Sequence, residues 1–412
     1  MGQHILVVSQ YFYPEDFRIN DICEEWIKRG YEVTVITGMP NYPKGKFFEG
    51  YGWFRKRRES YKGIHIIRLP ILPRGRNALM LLLNYISFVV SGFFWKLFTK
   101  AKADKVFIFE VSPMSQALVG VWYAKRRNIP CFIYVQDLWP ENVEIVTGIH
   151  NRYVIRKIDR MVDYIYRNCA KIFATSPSFV ERIEERDSAW EEQHRGYGSH
   201  SKVIYWPQYA EAFYKPVEER VQEPWAEEDC YKIIFTGNIG QAQGLDILLR
   251  AARVLMDRKI CCKFVMVGDG RYREELEREI EKEQVQSMFV MLGRKPSREI
   301  PKYLACCDVA FVSFAENELF AKTIPAKLQS YMACGIPILA VADGETKRIV
   351  EEAGCGIVCR LGDVEDLVDG IVRFLGLPKG MTHEMGECAL QYAGKNFDKG
   401  RLMDEMDGFV RE

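Results

Sequence analysis

Charge of one sign is missing from this 412-residue sequence: 57 Lys and Arg stand against 56 Asp and Glu, a net charge of +1. No global field therefore recruits nucleic acid or an acidic polymer. Paired cysteine spacing is missing as well. The 12 cysteines are scattered, with adjacent pairs at Cys261–Cys262 and Cys306–Cys307, in neither the pattern of a zinc site nor that of a small disulfide scaffold. Most sit in apolar contexts where free cysteine acts as a small core residue, so a reducing cytoplasm is expected. A signal peptide is not expected either, because the apolar run Ile5–Val8 is too short and reads as a first strand. The turn after that strand, QYFYPED, lacks the glycines a dinucleotide requires, which disfavours a dehydrogenase.

Long apolar runs are absent with one exception. From Asn77 to Trp95 there is no charged residue, while Arg55, Lys56, Arg57, Arg58, Arg68, Arg74 and Arg76 precede the run and Lys96, Lys100 and Lys102 follow it. Its length just reaches the ~18–20 residues of a spanning helix. About ten Leu, Ile, Phe and Val residues favour insertion by roughly 0.3–0.6 kcal/mol each, and Asn84, Ser87, Ser91 and Gly92 oppose it. Three readings stand: a helix buried in the first domain, a helix lying on a membrane with its basic flanks on anionic head groups, and a spanning helix. The last sits badly with strands on both sides that belong to one sheet.

Elsewhere short, nearly all-apolar strands alternate with helices, the pattern of parallel sheets covered on both faces. In the first half the expected strands are Ile5–Ser9, Glu32–Thr37, Ile64–Arg68, Lys105–Glu110, Cys131–Val135, Lys171–Thr175 and Lys202–Tyr205. Helices are expected at Ile19–Arg29, Pro113–Arg127 and Val154–Asn168, and Arg182–His200 as a mobile surface insertion. The pattern lapses over Trp206–Glu228, a linker. It resumes with strands Lys232–Thr236, Lys263–Gly268, Met288–Leu292, Val309–Phe314 and Pro337–Val341. The expected organisation is α/β with two doubly wound, Rossmann-like domains, residues 1–208 and 209–396. A terminal helix, 397–412, is expected to return to the first domain.

Two turns in the second half carry the chemistry. In FTGNIGQAQGLDILL (Phe235–Leu249) a strand runs into Gly237, Gly240 and Gly244, and a helix opens with Asp246 in its first turn. Glycines admit a ligand close to the backbone, and unpaired amides at a helix start favour an anion. In AKTIPAKLQSYMACGIPILA, Pro325 suits the first turn of a helix that stops at Gly335. Two such starts at the carboxyl ends of parallel strands form the crevice where open α/β sheets hold nucleotides. Lys327 sits where a cation opposes the helix dipole, misplaced unless an anion is near.

The segments YFYPEDFRIND, TGMPNYPKGKFFEGY, QDLWPE, FTGNIGQAQGLDILL and TIPAKLQSYMACGIPIL together resemble the family 4 retaining glycosyltransferases of GT-B fold, among them the WbuB- and WcaI-like bacterial enzymes of polysaccharide and O-antigen assembly. The resemblance spans essentially the whole chain. It implies an acceptor-binding first domain, a second domain that binds a sugar nucleotide, a central cleft between them, retention of anomeric configuration, and no metal or other cofactor. No Asp-x-Asp metal motif stands in the sequence.

On that resemblance Gly237, Asn238, Gly240 and Gln243 form a first diphosphate cradle. Thr323, Ile324 and Pro325 form a second, with amides from Thr323 and Ile324 and a charge-assisted contact from Lys327. Arg294 falls where relatives hold the nucleotide base. Many relatives carry two glutamates eight apart before the glycine that ends the helix; here those places hold Lys322 and Ser330. Ser330 thus occupies the ribose position, and Lys322 is assigned to the diphosphate. Asp137, after Cys131–Val135, corresponds to the neighbourhood of a histidine that touches the transferred sugar, and its alternative is a turn cap; Glu141 is a second candidate. Glu15, Asp16, Arg18, Asn41 and Tyr42 are assigned to the acceptor side.

The function so implied is transfer from a UDP-sugar, an N-acetylated sugar such as a FucNAc type, to a polyprenyl-diphosphate-linked saccharide. It would take place in the cytoplasm on the inner face of the cell membrane, reached through residues 77–95, with no nucleic acid partner. A nucleotide-sugar epimerase of the same fold and a non-catalytic, sugar-nucleotide-binding assembly subunit are the alternatives.

Overall fold

The computed structural model describes residues 2–75, 77–143, 151–194 and 202–411, with the side chains of 187–194 set aside. Arg76 and residues 195–201, where the sequence raised a basic flank and part of an insertion, lie outside that range. The chain divides into two compact units: Met1–Trp206 with Glu405–Glu412, and Pro207–Asp404.

The first unit is built on a sheet of eight described strands in the order β3-β4-β2-β1-β5-β6-β7-β8. These are β1 (His4–Val8), β2 (Glu32–Gly38), β3 (Arg58–Tyr61), β4 (Ile64–Leu69), β5 (Lys105–Glu110), β6 (Cys131–Val135), β7 (Lys171–Ala174) and β8 (Val203–Tyr205). All pairings are parallel except β3 with β4. Strands such as KVFIFE and CFIYV are buried along their whole length, as a sheet covered on both faces requires. The antiparallel edge β3 was not expected from the sequence, because RESY is polar. It forms because Lys62 and Gly63 both adopt positive φ, 49° and 83°, the two-residue turn that suits strand twist.

The helices of this unit are α1 (Arg18–Lys28), α2 (Ala78–Phe98), α3 (Ala117–Arg127), α4 (Arg152–Arg167) and α5 (Pro177–His194). Helix α5 corrects the expected mobile insertion over its described part. Its charges are placed to pair: Arg186 bridges Asp159 at 2.7 Å and Asp163 at 2.8 Å on α4, and Arg182 meets Glu141 at 2.8 Å. The chain's last residues join the same unit. Arg29 pairs with Asp407 at 3.0 Å, and the Phe409 ring stacks edge-on against Phe173.

Helix α2 corrects the buried-helix reading of the apolar run. Its polar residues face inward: Asn84 donates to the Leu72 carbonyl at 2.6 Å and accepts from Gln10 at 2.7 Å, Ser87 accepts the Leu72 amide at 2.9 Å, and Ser91 bonds the Pro70 carbonyl. Its outward residues Leu79, Leu82, Ile86, Val90, Phe93 and Leu97 are spaced three or four apart and are 39–64% exposed. The helix is amphipathic in reverse. Gly92 permits its close approach to α3, since a Cβ there would lie 2.3 Å from Val119 Cγ2.

The second unit carries a parallel sheet of six described strands, β11-β10-β9-β12-β13-β14. They are β9 (Tyr231–Asn238), β10 (Cys262–Asp269), β11 (Phe289–Gly293), β12 (Val309–Ser313), β13 (Ile338–Val341) and β14 (Gly356–Cys359). Its longer helices are α6 (Asp246–Asp257), α7 (Arg273–Lys282), α8 (Ala326–Ala333), α9 (Gly344–Ala353), α10 (Val364–Gly376) and α11 (Lys379–Asn396); the residues of the last helix, α12 (Lys399–Arg411), from Glu405 onward belong to the first unit. Two apolar clusters, one on each face, hold them, and the α6 residues Leu248, Ala251, Ala252 and Leu255 supply much of one. The aromatic residues of the expected linker are anchored: Trp206 is wholly buried against Tyr134 in the first unit, and Trp225 stacks on Tyr303 in the second.

Replacing Gly92 with Leu forces α2 away from α3. We expect a loss of about 1–3 kcal/mol of stability, read as a lower urea midpoint; an unchanged midpoint contradicts the close helix approach.

Candidate active site

In the second sheet the strand order reverses between β9 and β12, the topological switch point where open α/β sheets bind ligands. Strand β9 pairs with β10 through Asn238 opposite Asp269, but with β12 only at Ile233 and Ile234. Its last four residues thus part from β12. The Thr236 amide, freed from the ladder, donates to the Tyr331 hydroxyl of α8 at 2.7 Å. The turn after β9 folds over the end of β12 instead: Ala315 donates to the Ala242 carbonyl at 3.0 Å, and Ser313 Oγ to the Gln243 carbonyl at 2.6 Å.

The glycines of this turn and of the adjoining end of β10 are required by contact. At Gly268 a Cβ would sit 1.8 Å from the Gly237 carbonyl oxygen, and at Gly244, with φ 59°, it would be 2.9 Å from that of Phe314. Gly240 and Gly270 make room for the Asn238 side chain between them. Gly237 and Asn238 themselves are exposed.

Lys327, in the first turn of α8, reaches into the same place. Its Nζ donates to Gln243 Oε1, lies 3.7 Å above the centre of the Phe235 ring, and stands 3.8 Å from where a Gly237 Cβ would be. Among the described residues no carboxylate pairs with it. Desolvation alone holds its ammonium well below the usual lysine range, with no neighbouring charge to oppose it. A bound anion would supply the missing partner.

The second cradle differs from the expectation in two residues. The Thr323 amide donates to the Phe320 carbonyl at 3.1 Å and its hydroxyl to Leu319 at 3.1 Å, because a short helix, Glu318–Ala321, ends just before it and its last turn takes those donors. Ser330 is 7% exposed and its hydroxyl donates back to the Ala326 carbonyl at 3.1 Å, so its donor is taken within α8. Among the described residues the Ile324 amide has no internal acceptor, and Pro325 caps α8. Lys322 ends the short helix and is half-buried. Arg294 is exposed just past the carboxyl end of β11, two strands from β9.

In the first unit the carboxyl ends of β5 and β6 bring Asp137 beside Glu110. Asp137 Oδ2 accepts both the amide and the hydroxyl of Ser112 at 2.7 Å, so it ties one strand end to the next rather than capping its own turn. Glu110, which sequence reasoning missed, is wholly buried and accepts the Asp137 amide at 3.4 Å. Burial raises both carboxyls, and for Glu110 the Asp137 charge adds to it. The signal was an acid closing the otherwise apolar strand KVFIF. Glu141, the other acid of this loop, is occupied by Arg182.

Glu15 is an internal clamp. Its Oε1 accepts the amides of Asn41 and Tyr42 at 2.7 and 2.6 Å, joining the segments after β1 and β2. Burial pushes its carboxyl from 4.5 to about 7 against three backbone hydrogen bonds. Asn41 is buried and accepts the Arg74 amide at 2.9 Å, whereas Tyr42 is half-buried beneath the Arg74 guanidinium. Asp16 is exposed, and Arg18 opens α1, where its charge acts on Tyr134. Among the described residues no group of three or more His, Cys, Asp or Glu is gathered as a metal ion would need.

Two family models match, "Glycosyl transferase 4-like domain" over residues 17–195 and "Glycosyl transferases group 1" over residues 217–391. The chain belongs to the family 4 glycosyltransferases. This glycosyltransferase is 27% identical over 405 residues, 94% of each chain, to WcaI of Escherichia coli (strain K12), named as a colanic acid biosynthesis glycosyl transferase. It is 25% identical over 65% of each chain to the Pseudomonas aeruginosa glycosyltransferase WbjE. Its fold is GT-B, like sucrose-phosphate synthase from Thermosynechococcus elongatus (TM-score 0.75, 16% identity, 99% and 98% of the chains). Anabaena HepE in complex with UDP and glucose is similar over 99% of both chains, with TM-score 0.65 and 17% identity.

Two measurements test this site. Lys327→Met removes about 1.5–3 kcal/mol of charge-assisted contact, so calorimetric affinity for pyrophosphate should fall at least tenfold while folding stability holds or rises. A lysine depressed in the fold costs stability wherever the unfolded chain binds the proton better, so apo stability should climb with pH up to the unfolded lysine value, and that slope should vanish in the variant. Glu15→Gln tests the clamp. Wild type, with a carboxyl raised to about 7, should lose about 2–3 kcal/mol between pH 4.5 and 7; the glutamine variant should show no such loss in pH-resolved thermal denaturation.

Proposed function

We propose that this glycosyltransferase moves a sugar from a UDP-sugar to a polyprenyl-diphosphate-linked saccharide in bacterial surface polysaccharide assembly, with retention at the anomeric carbon. The observation that carries the proposal is Lys327: an ammonium with no carboxylate partner among the described residues, at the switch point, beside the exposed Gly237. When the bond between sugar and diphosphate breaks, negative charge grows on the leaving UDP. Fixed donors aimed at that charge are the largest contribution a protein makes to such a step. Lys327 gives the charge, the turn from Gly237 to Gln243 the close approach, and the Ile324 amide a further donor. The acceptor hydroxyl then bonds to the sugar on the face that UDP leaves, and its proton departs with the diphosphate oxygen. No metal takes part in this scheme.

Several likenesses support the donor and the setting. HepE is solved with UDP and with UDP-glucose, and an Escherichia coli trehalose-6-phosphate protein of TM-score 0.72 is bound with UDP-2-fluoro glucose. WcaI is named for colanic acid biosynthesis. In the proposal the donor sugar is N-acetylated, of FucNAc type, and Lys322 adds positive charge near the diphosphate. Asp137 meets the transferred sugar, Arg294 the base, and Asp16, Arg18 and Tyr42 the acceptor side. The protein works from the cytoplasm on the inner face of the membrane, against which helix α2 lies lengthwise.

The test is transfer with purified enzyme. A panel of UDP-sugars, including UDP-GlcNAc and UDP-FucNAc, is offered with an undecaprenyl-diphosphate-linked N-acetylhexosamine in chelator, and product is followed by mass spectrometry and anomeric NMR. An α-linked product from an α-linked donor is expected. An inverted product or a chelator-sensitive reaction overturns the mechanism. Conversion of free UDP-sugar without acceptor makes the protein an epimerase, and tight donor binding with no turnover makes it an assembly subunit.

A further inference from the structure

Beside α2 lies a groove of about 1100 Å³ on the flank of the first sheet, larger than the roughly 300–1,000 Å³ of most small-molecule sites. Its floor includes His4, Thr34, His65 and Ile67, residues near the amino-terminal ends of the parallel strands β1, β2 and β4 or along β4. Ligand chemistry in open α/β sheets belongs to the carboxyl ends, so this groove is separate from the crevice beside Glu110 and Asp137. One wall is aromatic: Phe94 and Phe98 of α2, 56% and 80% exposed, with Trp95. The opposite wall is the polar edge β3 with Arg57 and Arg58, and Lys100 stands at the end of α2; all three are exposed. The acid that lines it, Glu59, is already occupied by the buried Arg68. Among the described residues the groove is therefore apolar on one side and basic, with no paired acid, on the other.

Its aromatic wall continues the outward stripe of α2. Val90, Phe94 and Phe98 follow one another at four-residue intervals from the row that contains Leu82 and Ile86. Among the described residues nothing covers the stripe or the groove, and α2 cannot cross a bilayer while Asn84, Ser87 and Ser91 bind it to the segment 70–72 along the sheet. A surface with insertable leucines and phenylalanines bordered by fixed arginines matches the acyl chain and phosphate of one lipid.

We infer that the groove between α2 and the β3–β4 edge seats an anionic phospholipid, with its headgroup phosphate on Arg57, Arg58 and Lys100 and a chain along Phe94 and Phe98, while the α2 stripe enters the leaflet. This rests on the membrane-surface reading above and adds the lipid it selects. The site gives the enzyme a preference for anionic membrane that is independent of its donor site.

Vesicle flotation tests it with the full chain. Wild type should float with phosphatidylglycerol–phosphatidylcholine vesicles and bind pure phosphatidylcholine at least tenfold more weakly. Arg57→Ser with Arg58→Ser should lose most of that preference, and Leu82→Asp with Ile86→Asp should lose binding to both. Millimolar inorganic phosphate should not release the protein, which separates a lipid from a free-phosphate site. All these positions are exposed, and an unchanged far-ultraviolet circular dichroism spectrum and thermal midpoint in each variant certify the fold of the first unit; loss of UDP affinity in wild type would instead refute the donor site. Equal binding of wild type to both vesicle types, or an unaltered preference in the double arginine variant, overturns the headgroup site. A wild type that ignores vesicles and is dimeric by light scattering shows that a second copy covers the face.

Discussion

The parting of β9 from β12 after Ala310 governs everything the carboxyl-terminal unit offers a ligand. Four residues of β9 lose a ladder partner, and the fold must satisfy them otherwise. Tyr331 takes the Thr236 amide, the turn at Gln241–Gly244 closes on Phe314 and Ala315, and Gly237, paired only with β10, is left exposed. A side chain at Gly268 or Gly244 would collide with main-chain atoms, so the opening exists only with glycine there. Helix α8 is aimed into it by Tyr331, four residues on from Lys327 and so on the same helix face.

Both units keep polar groups at a cost to stability, and the costs differ in kind. Lys327 is a desolvated cation satisfied by a neutral amide and an aromatic face, an arrangement that improves when an anion arrives. Glu15 and Glu110 are buried and Asp137 half-buried, all three acids raised by desolvation and held by backbone amides. Glu15 fastens two strand-end segments and Asp137 fastens two strand ends, so part of what looks like a functional surface in the sequence is the scaffold that shapes it. Helix α2 inverts the usual economy: its amides and hydroxyls face the sheet and its leucines and phenylalanines face out, which a soluble surface does not repay.

Much of this was legible beforehand, and the misses have definite causes. The apolar strands and the two glycine turns were readable because their signals are local: an unbroken β-branched run, a glycine at a strand end, a proline at a helix start. Strand β3 was missed because its residues are polar and only the Lys62–Gly63 turn makes it pair. Arg182–His194 looked loose because its partners, Asp159, Asp163 and Glu141, are distant in sequence. Thr323 and Ser330 were given to the ligand by motif position, yet a short helix and α8 use their donors.

The sequence by itself determined the family, the parallel sheets, the glycine turns and the presence of a cation at the start of α8, since each depends on residues within one turn or strand of each other. Only the tertiary structure decided which of those groups remain available. Whether Lys327 meets a carboxylate, whether Glu110 lies beside Asp137, and which face of α2 looks outward depend on strands and helices brought together from far along the chain. A hydrogen bond or an ion pair reports on distance in space, and that distance is set by packing.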